Sequence, residues 1–204
     1  MILYKITKVV LNPFFRFYYN PTIIGKENIP KSGGIIIAGN HRHALDQHHI
    51  IISSKRPIHY MAKKEYFDEE ASLFSKDNKF TRWLSKKIVN SYGCIRVDRT
   101  IKDEEASQQA LEVLKNGKAL GLFPEGTRNT TEKFLLPFKF GCVSLAKKSD
   151  AYIVPFGITG THKFRSKDLI IRIGKPFKVT DMSLEKANEK LRETIEKLML
   201  ENLK

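Results

Sequence analysis

The run Gly34-Ile35-Ile36-Ile37-Ala38 limits the possible folds of this chain more than any other stretch. It is uncharged and β-branched and is entered through Gly33-Gly34, so it reads as a short buried strand. Three further short runs read as strands: Gly93 to Val97, Ala119 to Leu122, and Ile153 to Ile158, the last with Pro155 inside it. Each lies against a polar or turn-forming motif. Beyond residue 20 strands alternate with helices, and there is no linker or internal repeat. That alternation predicts an α/β sandwich with a mixed sheet.

The remaining elements follow from local signals. Thr22 to Gly25 reads as an edge strand before the turn-rich Asn28-Ile29-Pro30-Lys31-Ser32-Gly33. A helix is expected from Asp46 to about Ser53, and another short strand over Ile58 to Met61. Thr100, with Asp103 three residues on, is expected to cap a helix that carries Ala106, Ala110, Val113 and Leu114 on one face. Asn116-Gly117 ends it. Lys139 to Lys147 should be helical, and Leu169 to Ile173 should be a late strand. A last helix opens near Ser183 with Leu184, Ala187, Leu191, Ile195 and Leu198 on one stripe.

Chemistry is concentrated just past the first strand, in Gly39-Asn40-His41-Arg42-His43-Ala44-Leu45-Asp46. In α/β sheets reactive groups gather outside the carboxyl ends of the strands. Asp46 can accept one imidazole N–H of His41, fix the tautomer and stabilise the imidazolium. The other ring nitrogen is then free to take a proton from a substrate hydroxyl. Such a pair needs no serine or cysteine nucleophile. Taken alone, a His near an Asp in a loop is more often structural than catalytic.

Composition narrows the field. The chain has 204 residues, 41% hydrophobic and 28% charged, which suits one domain with one substantial core and excludes a multi-span membrane protein. Its two cysteines, Cys94 and Cys142, lie in apolar stretches without partner spacing and read as buried small side chains. A disulfide or half a metal site is the alternative. The net charge of +14 calls for an anionic partner, yet no nucleic-acid module is legible. An anionic membrane surface fits better, because Lys5, Lys8, Arg16 and Lys26 occur in the first 26 residues without an acid. Residues 1–19 are rich in aromatics, too short in uncharged run to span a bilayer, and lack a small-residue cleavage site. They are expected to form an amphipathic interfacial helix, broken near Asn12-Pro13, ahead of a catalytic domain over 20–204. The alternative is a helix packed on the domain's own core.

Four strand-end blocks in this order resemble the glycerolipid acyltransferases. Asn40-His41 with Asp46 matches that family's Asn-His-x4-Asp, and Phe123-Pro124-Glu125-Gly126-Thr127-Arg128 matches its third block. The second block is Gly93 to Arg99, the fourth Ile153 to Ile158, and the likeness spans roughly residues 25–175. It implies a sandwich of that family's type, with His41 as general base and Asp46 as its orienter. It further implies that Arg99, Glu125, Gly126, Thr127 and Arg128 bind the acceptor, the two arginines at its phosphate, where an Arg fork suits better than a lone Lys. Arg99 as a partner for Asp98 is the competing reading. Lys139, in Phe138-Lys139-Phe140-Gly141, is a secondary phosphate or carrier contact, and Val154 and Pro155 shape an acyl pocket. The implied reaction moves an acyl group from acyl-CoA or acyl-carrier protein to the sn-2 hydroxyl of 1-acyl-sn-glycerol-3-phosphate. The product is phosphatidic acid, made at the cytoplasmic face of the cell membrane without metal or cofactor. Alternatives are another lysophospholipid or glycerol-3-phosphate as acceptor, a catalytically silent membrane-binding relative, and a metal-dependent hydrolase using His43, His48 and His49. The chain departs from the family over Asp68 to Lys79, which is polar and lacks the expected glycine.

Overall fold

The computed structural model describes residues 2–74 and 76–204. Met1 and Ser75, both in stretches singled out above, lie outside the described residues, as do the side chains of Ile2, Leu3, Lys5, Ile6, Thr7 and Leu11. The strands are β1 (Thr22–Ile24), β2 (Ile35–Gly39), β3 (Ile58–Lys63), β4 (Ile95–Val97), β5 (Ala119–Leu122), β6 (Tyr152–Thr159) and β7 (Ile170–Ile173). They form one mixed sheet in the order β1-β7-β6-β2-β5-β3-β4. Neighbours are parallel except β6 and β7, so β2 to β6 run one way and the β1–β7 pair runs the other. Seven α-helices accompany them among the described residues: α1 (Ile2–Tyr19), α2 (Asp46–Ser53), α3 (Lys64–Phe67), α4 (Lys79–Ser91), α5 (Glu104–Lys115), α6 (Gly141–Ser149) and α7 (Leu184–Glu201).

The alternation along β2 builds both cores. Ile36 and Ala38 face Ala110 and Leu114 of α5, Val143 and Ala146 of α6, and Leu191 and Ile195 of α7. Ile35 and Ile37 face the opposite way, toward Tyr4 of α1, Ile50 and Ile51 of α2, and Tyr92. Each of these buried isoleucines stabilises the fold by roughly 1.5–3 kcal/mol. Pro155 fits inside β6 because its carbonyl accepts Gly174 N–H at 2.8 Å, on the side where β7 has already ended at Ile173. The missing proline N–H thus falls at the end of the β6–β7 ladder and leaves the pairing with β2, where Ala38 lies opposite Pro155, undisturbed.

Three local expectations need correction. α1 is unbroken at Pro13. Pro13 and Val9, the residue one turn before it, are both exposed, so water can satisfy the carbonyl that a proline leaves unpaired. Packing holds each half of the helix: Tyr4 is buried and accepts Ile58 N–H at 3.3 Å, while Phe15 stacks on His48 with ring centroids 4.1 Å apart. The cap of α5 is Asp103, not Thr100; its carboxylate accepts Ala106 N–H at 2.8 Å, while the Thr100 hydroxyl donates to Asp98 at 2.6 Å. The helix expected from Lys139 opens at Gly141.

The atypical stretch 68–79 is tied to its surroundings by charge. Asp68 receives Arg96 bidentately at 2.8 and 2.7 Å, Glu69 pairs with Lys86 at 3.0 Å, and Asp77 with Arg82 at 2.7 Å. Asn78 and Thr81 cap α4 reciprocally. Because β2, β4, β5 and β6 are aligned, the loops that follow them emerge along one edge of the sheet.

Candidate active site

His41 leaves β2 in a loop that is fastened before any side-chain chemistry begins. Asn40 is buried, donates its amide N–H to the Ile158 carbonyl at 2.9 Å and accepts Ile158 N–H at 2.8 Å. His41 N–H donates to Glu125 Oε1 at 2.9 Å, and its carbonyl accepts Asn129 N–H at 2.7 Å. The segment after β5 thus grips the main chain of His41 from both sides. Phe123 lies parallel to the imidazole, with centroids 4.0 Å apart.

Asp46 opens α2 and is buried at 1% exposure. Its Oδ2 accepts three N–H groups: His41 Nδ1 at 3.0 Å and the backbone amides of Arg42 and His43 at 2.8 Å each. Burial pushes the carboxyl up, but His162, His41 and the His43 amide outweigh it and hold it well below the usual carboxylate range. An ionised Asp46 only accepts, so Nδ1 of His41 carries the hydrogen and Nε2 carries the lone pair. That assignment leaves Nε2 able to take a proton.

The residues expected at the acceptor form a basic lip beside this pair. Arg99, Thr127, Arg128 and Lys139 are exposed. Arg99 Nη1 lies 3.5 Å from the Gly126 carbonyl. Asp98 is engaged by Lys64 Nζ at 2.6 Å and by Thr100, so the Asp98–Arg99 pairing is not what the structure contains. Gly126 has φ +72°, so this turn favours glycine conformationally, and the end of the Lys139 side chain lies against it. The positive charge of Arg128 reaches His43. Glu125 stands apart from the others: it is buried, and its second oxygen accepts Leu136 N–H at 2.8 Å, so backbone amides occupy both oxygens. Val154 is fully buried in the core.

His43, His48, His49 and His162 pack with aromatic and imidazole rings, and His59 hydrogen-bonds to the Gly93 carbonyl at 2.8 Å. His43 stacks on His162 at 3.9 Å, and His49 is wholly buried beside Tyr19 and His162, where burial pushes its pKa down to about 3. Among the described residues no group of three or more His, Cys, Asp or Glu is arranged to hold a metal ion. Both cysteines are free thiols, raised by burial to about 11 for Cys94 and about 12 for Cys142. Asn129 and His162 had no signal in the sequence as read, because their partners at the site lie 88 and 116 positions away.

A base held by a buried carboxylate, beside a cationic lip at the strand ends, suits transfer of a group to a hydroxyl on an anionic acceptor. The family model described as Acyltransferase matches residues 20–159, and the chain belongs to that family. Several of its relatives carry a more particular name. It is 29% identical over 174 residues to the 1-acyl-sn-glycerol-3-phosphate acyltransferase of Bacillus subtilis, covering 83% of this chain and 79% of that protein. Identity is 31% over 158 residues with the protein of the same name from Borreliella burgdorferi, covering 74% of this chain and 56% of the relative. The Saccharomyces cerevisiae protein of that name is 30% identical, with 89% of this chain and 59% of the relative covered. The chain therefore spans little more than half the length of the last two. The fold matches the crystal structure of the 1-acyl-sn-glycerophosphate acyltransferase PlsC from Thermotoga maritima, with a TM-score of 0.68, 21% identity, and 97% of this chain and 81% of that one covered.

Proposed function

We propose that the protein transfers an acyl group from a thioester, acyl-CoA or acyl-carrier protein, to the sn-2 hydroxyl of 1-acyl-sn-glycerol-3-phosphate. The observation that carries the reading is the His41 Nδ1 to Asp46 Oδ2 contact of 3.0 Å, which leaves Nε2 as the base. Nε2 removes the hydroxyl proton as the oxygen attacks the thioester carbonyl. The C–S bond then breaks, and His41 returns the proton to the departing thiolate, giving phosphatidic acid and a free thiol. Arg99, Arg128 and Lys139 supply cations for the acceptor's phosphate, and the net charge of +14 draws both anionic substrates.

The same reading seats the protein on the cytoplasmic face of a membrane. No described helix is long and apolar enough to cross a bilayer. Val9, Val10, Phe14 and Phe17 of α1 are exposed, and Phe164 adds a further aromatic beside Phe17 and Tyr18. Such a face supports binding in the headgroup zone of one leaflet.

A panel of acceptors with one acyl-CoA tests the reaction. The 1-acyl-glycerol phosphate should be acylated at least tenfold faster than glycerol-3-phosphate or a neutral lysolipid, with and without a chelator. His41→Ala should reduce that rate by a hundredfold or more while the protein stays folded. Preference for another acceptor, or near-normal turnover by the folded variant, would overturn the reading.

A further inference from the structure

One oxygen of the site's buried carboxylate is not explained by the His41–Asp46 pair. Oδ2 of Asp46 takes three N–H donors, whereas Oδ1 has none in hydrogen-bonding alignment. The group facing Oδ1 is Nε2 of His162, 3.3 Å away and likewise buried without an aligned partner. A buried anionic oxygen without a donor is costly, so the group opposite it matters to whether Asp46 keeps its charge and its pose. Hydrogen bonds at such sites are often poorly aligned before substrate binds and tighten afterwards.

We propose that His162 is a positioning residue, whose Nε2–H holds Asp46 through Oδ1 so that Oδ2 keeps His41 aimed at the substrate hydroxyl. His162 enters from the loop after β6, past Gly160. That glycine has φ +92°, and a Cβ there would sit 2.0 Å from the Asp168 carbonyl oxygen, so the turn leaves room only for glycine. The His162 ring is held on three sides. His43 stacks on it at 3.9 Å, His49 tilts against it at 5.0 Å, and Tyr19 at the end of α1 meets it edge-on at 6.3 Å. Arg165, three residues later, donates its N–H to the Tyr18 carbonyl at 2.6 Å and fastens the same loop to α1. Two imidazoles therefore share one carboxylate, one reacting and one holding.

The inference rests on the acyl-transfer reading above, and two variants separate donor from filler. His162→Phe keeps the stack on His43 without an N–H, whereas His162→Gln gives up the stack and restores an N–H that can reach Oδ1. We expect the Phe variant to lose at least tenfold in kcat with KM for both substrates within twofold, and the Gln variant to keep a third or more of the rate. In an Asp46→Asn background His162→Phe should cost less than twofold more, because the two act through one contact. A readout free of substrate is the downfield proton resonance of His41 Nδ1–H, which should broaden in His162→Phe and persist in His162→Gln. Full activity in the Phe variant, a Gln variant as slow as Phe, or an unchanged His41 resonance in both would overturn the proposal. An inactive parent protein would instead overturn the acyl-transfer reading, and the resonance would still decide the role of His162.

Discussion

His49 follows Asp46 by three residues on α2, and the two side chains answer opposite electrostatic demands. Asp46 is held charged by donors, whereas His49 is held neutral, chiefly by burial and then by His162. For His49 the folded state resists a proton that the unfolded chain accepts near pH 6.5. Stability should therefore be fully present above pH 6.5 and fall as pH drops toward 3, by on the order of 1 kcal/mol per pH unit. His43 and His48, also lowered, act in the same direction. Asp46 adds its share only below the unfolded carboxylate value, about 3.9, where the unfolded chain begins to take the proton. His49→Phe should flatten the slope measured by urea unfolding between pH 7 and 5. Parallel slopes for parent and variant would mean that the ring is not held neutral.

Among elements, the decisive contact joins the loop after β5 to the loop after β2. Glu125 accepts His41 N–H with one oxygen and Leu136 N–H with the other. Glu125→Gln can accept only one of them, which should cost about 1–3 kcal/mol of stability and lower kcat. KM for the acceptor should stay within twofold, as it would not if Glu125 touched substrate; a rise in KM alone would return it to the binding lip. The motif announced that Glu125 mattered but not how, since a residue type fixes what a group can accept and says nothing of who donates. Helices with their own periodicity or caps, such as α5 with Ala106, Ala110 and Leu114 on its buried face and the Ser183-capped α7, were legible for that reason. α4 was not, because its reciprocal cap is Asn78 with Thr81 rather than the usual Ser or Thr with Glu or Gln. The pose of His41 was only half legible: Asp46 is five residues away, while Glu125, Asn129 and His162 come from other strand ends.

For the molecule as a whole, α1 is both part of the fold and the proposed membrane face. Tyr4 is buried in the core, Lys8 donates to the Ser54 carbonyl, and Arg16 donates to the Ile52 carbonyl at 3.2 Å, so two of the cations expected to meet lipid instead satisfy the end of α2. Removing residues 1–19 would therefore strip the core as well as the surface. Replacing the outward aromatics is the cleaner test. Phe14→Ser, Phe17→Ser and Phe164→Ser together should leave the melting temperature within a few degrees and weaken binding to anionic vesicles by on the order of a hundredfold, at about 1 kcal/mol each. Added salt should weaken the parent's binding, since the remaining cations act through a screened field. Unchanged vesicle binding would place the contact elsewhere.

The pairing of β1 with β7 has a consequence for biogenesis. Thr22 lies opposite Ile170 in the register, so the strand that follows the first helix has no neighbour until nearly 150 further residues have been made. During synthesis at about 5–20 residues per second, α1 meets its partners His48, Ser54 and Ile58 soon after it is made, whereas the partner of β1 follows many seconds later. Over that interval the edge of β1 has no strand to pair with, while the outward aromatics Phe14 and Phe17 stay exposed. The lipid surface is then available to α1 before its own sheet is, and arrival at the membrane can precede the assembly of the catalytic edge.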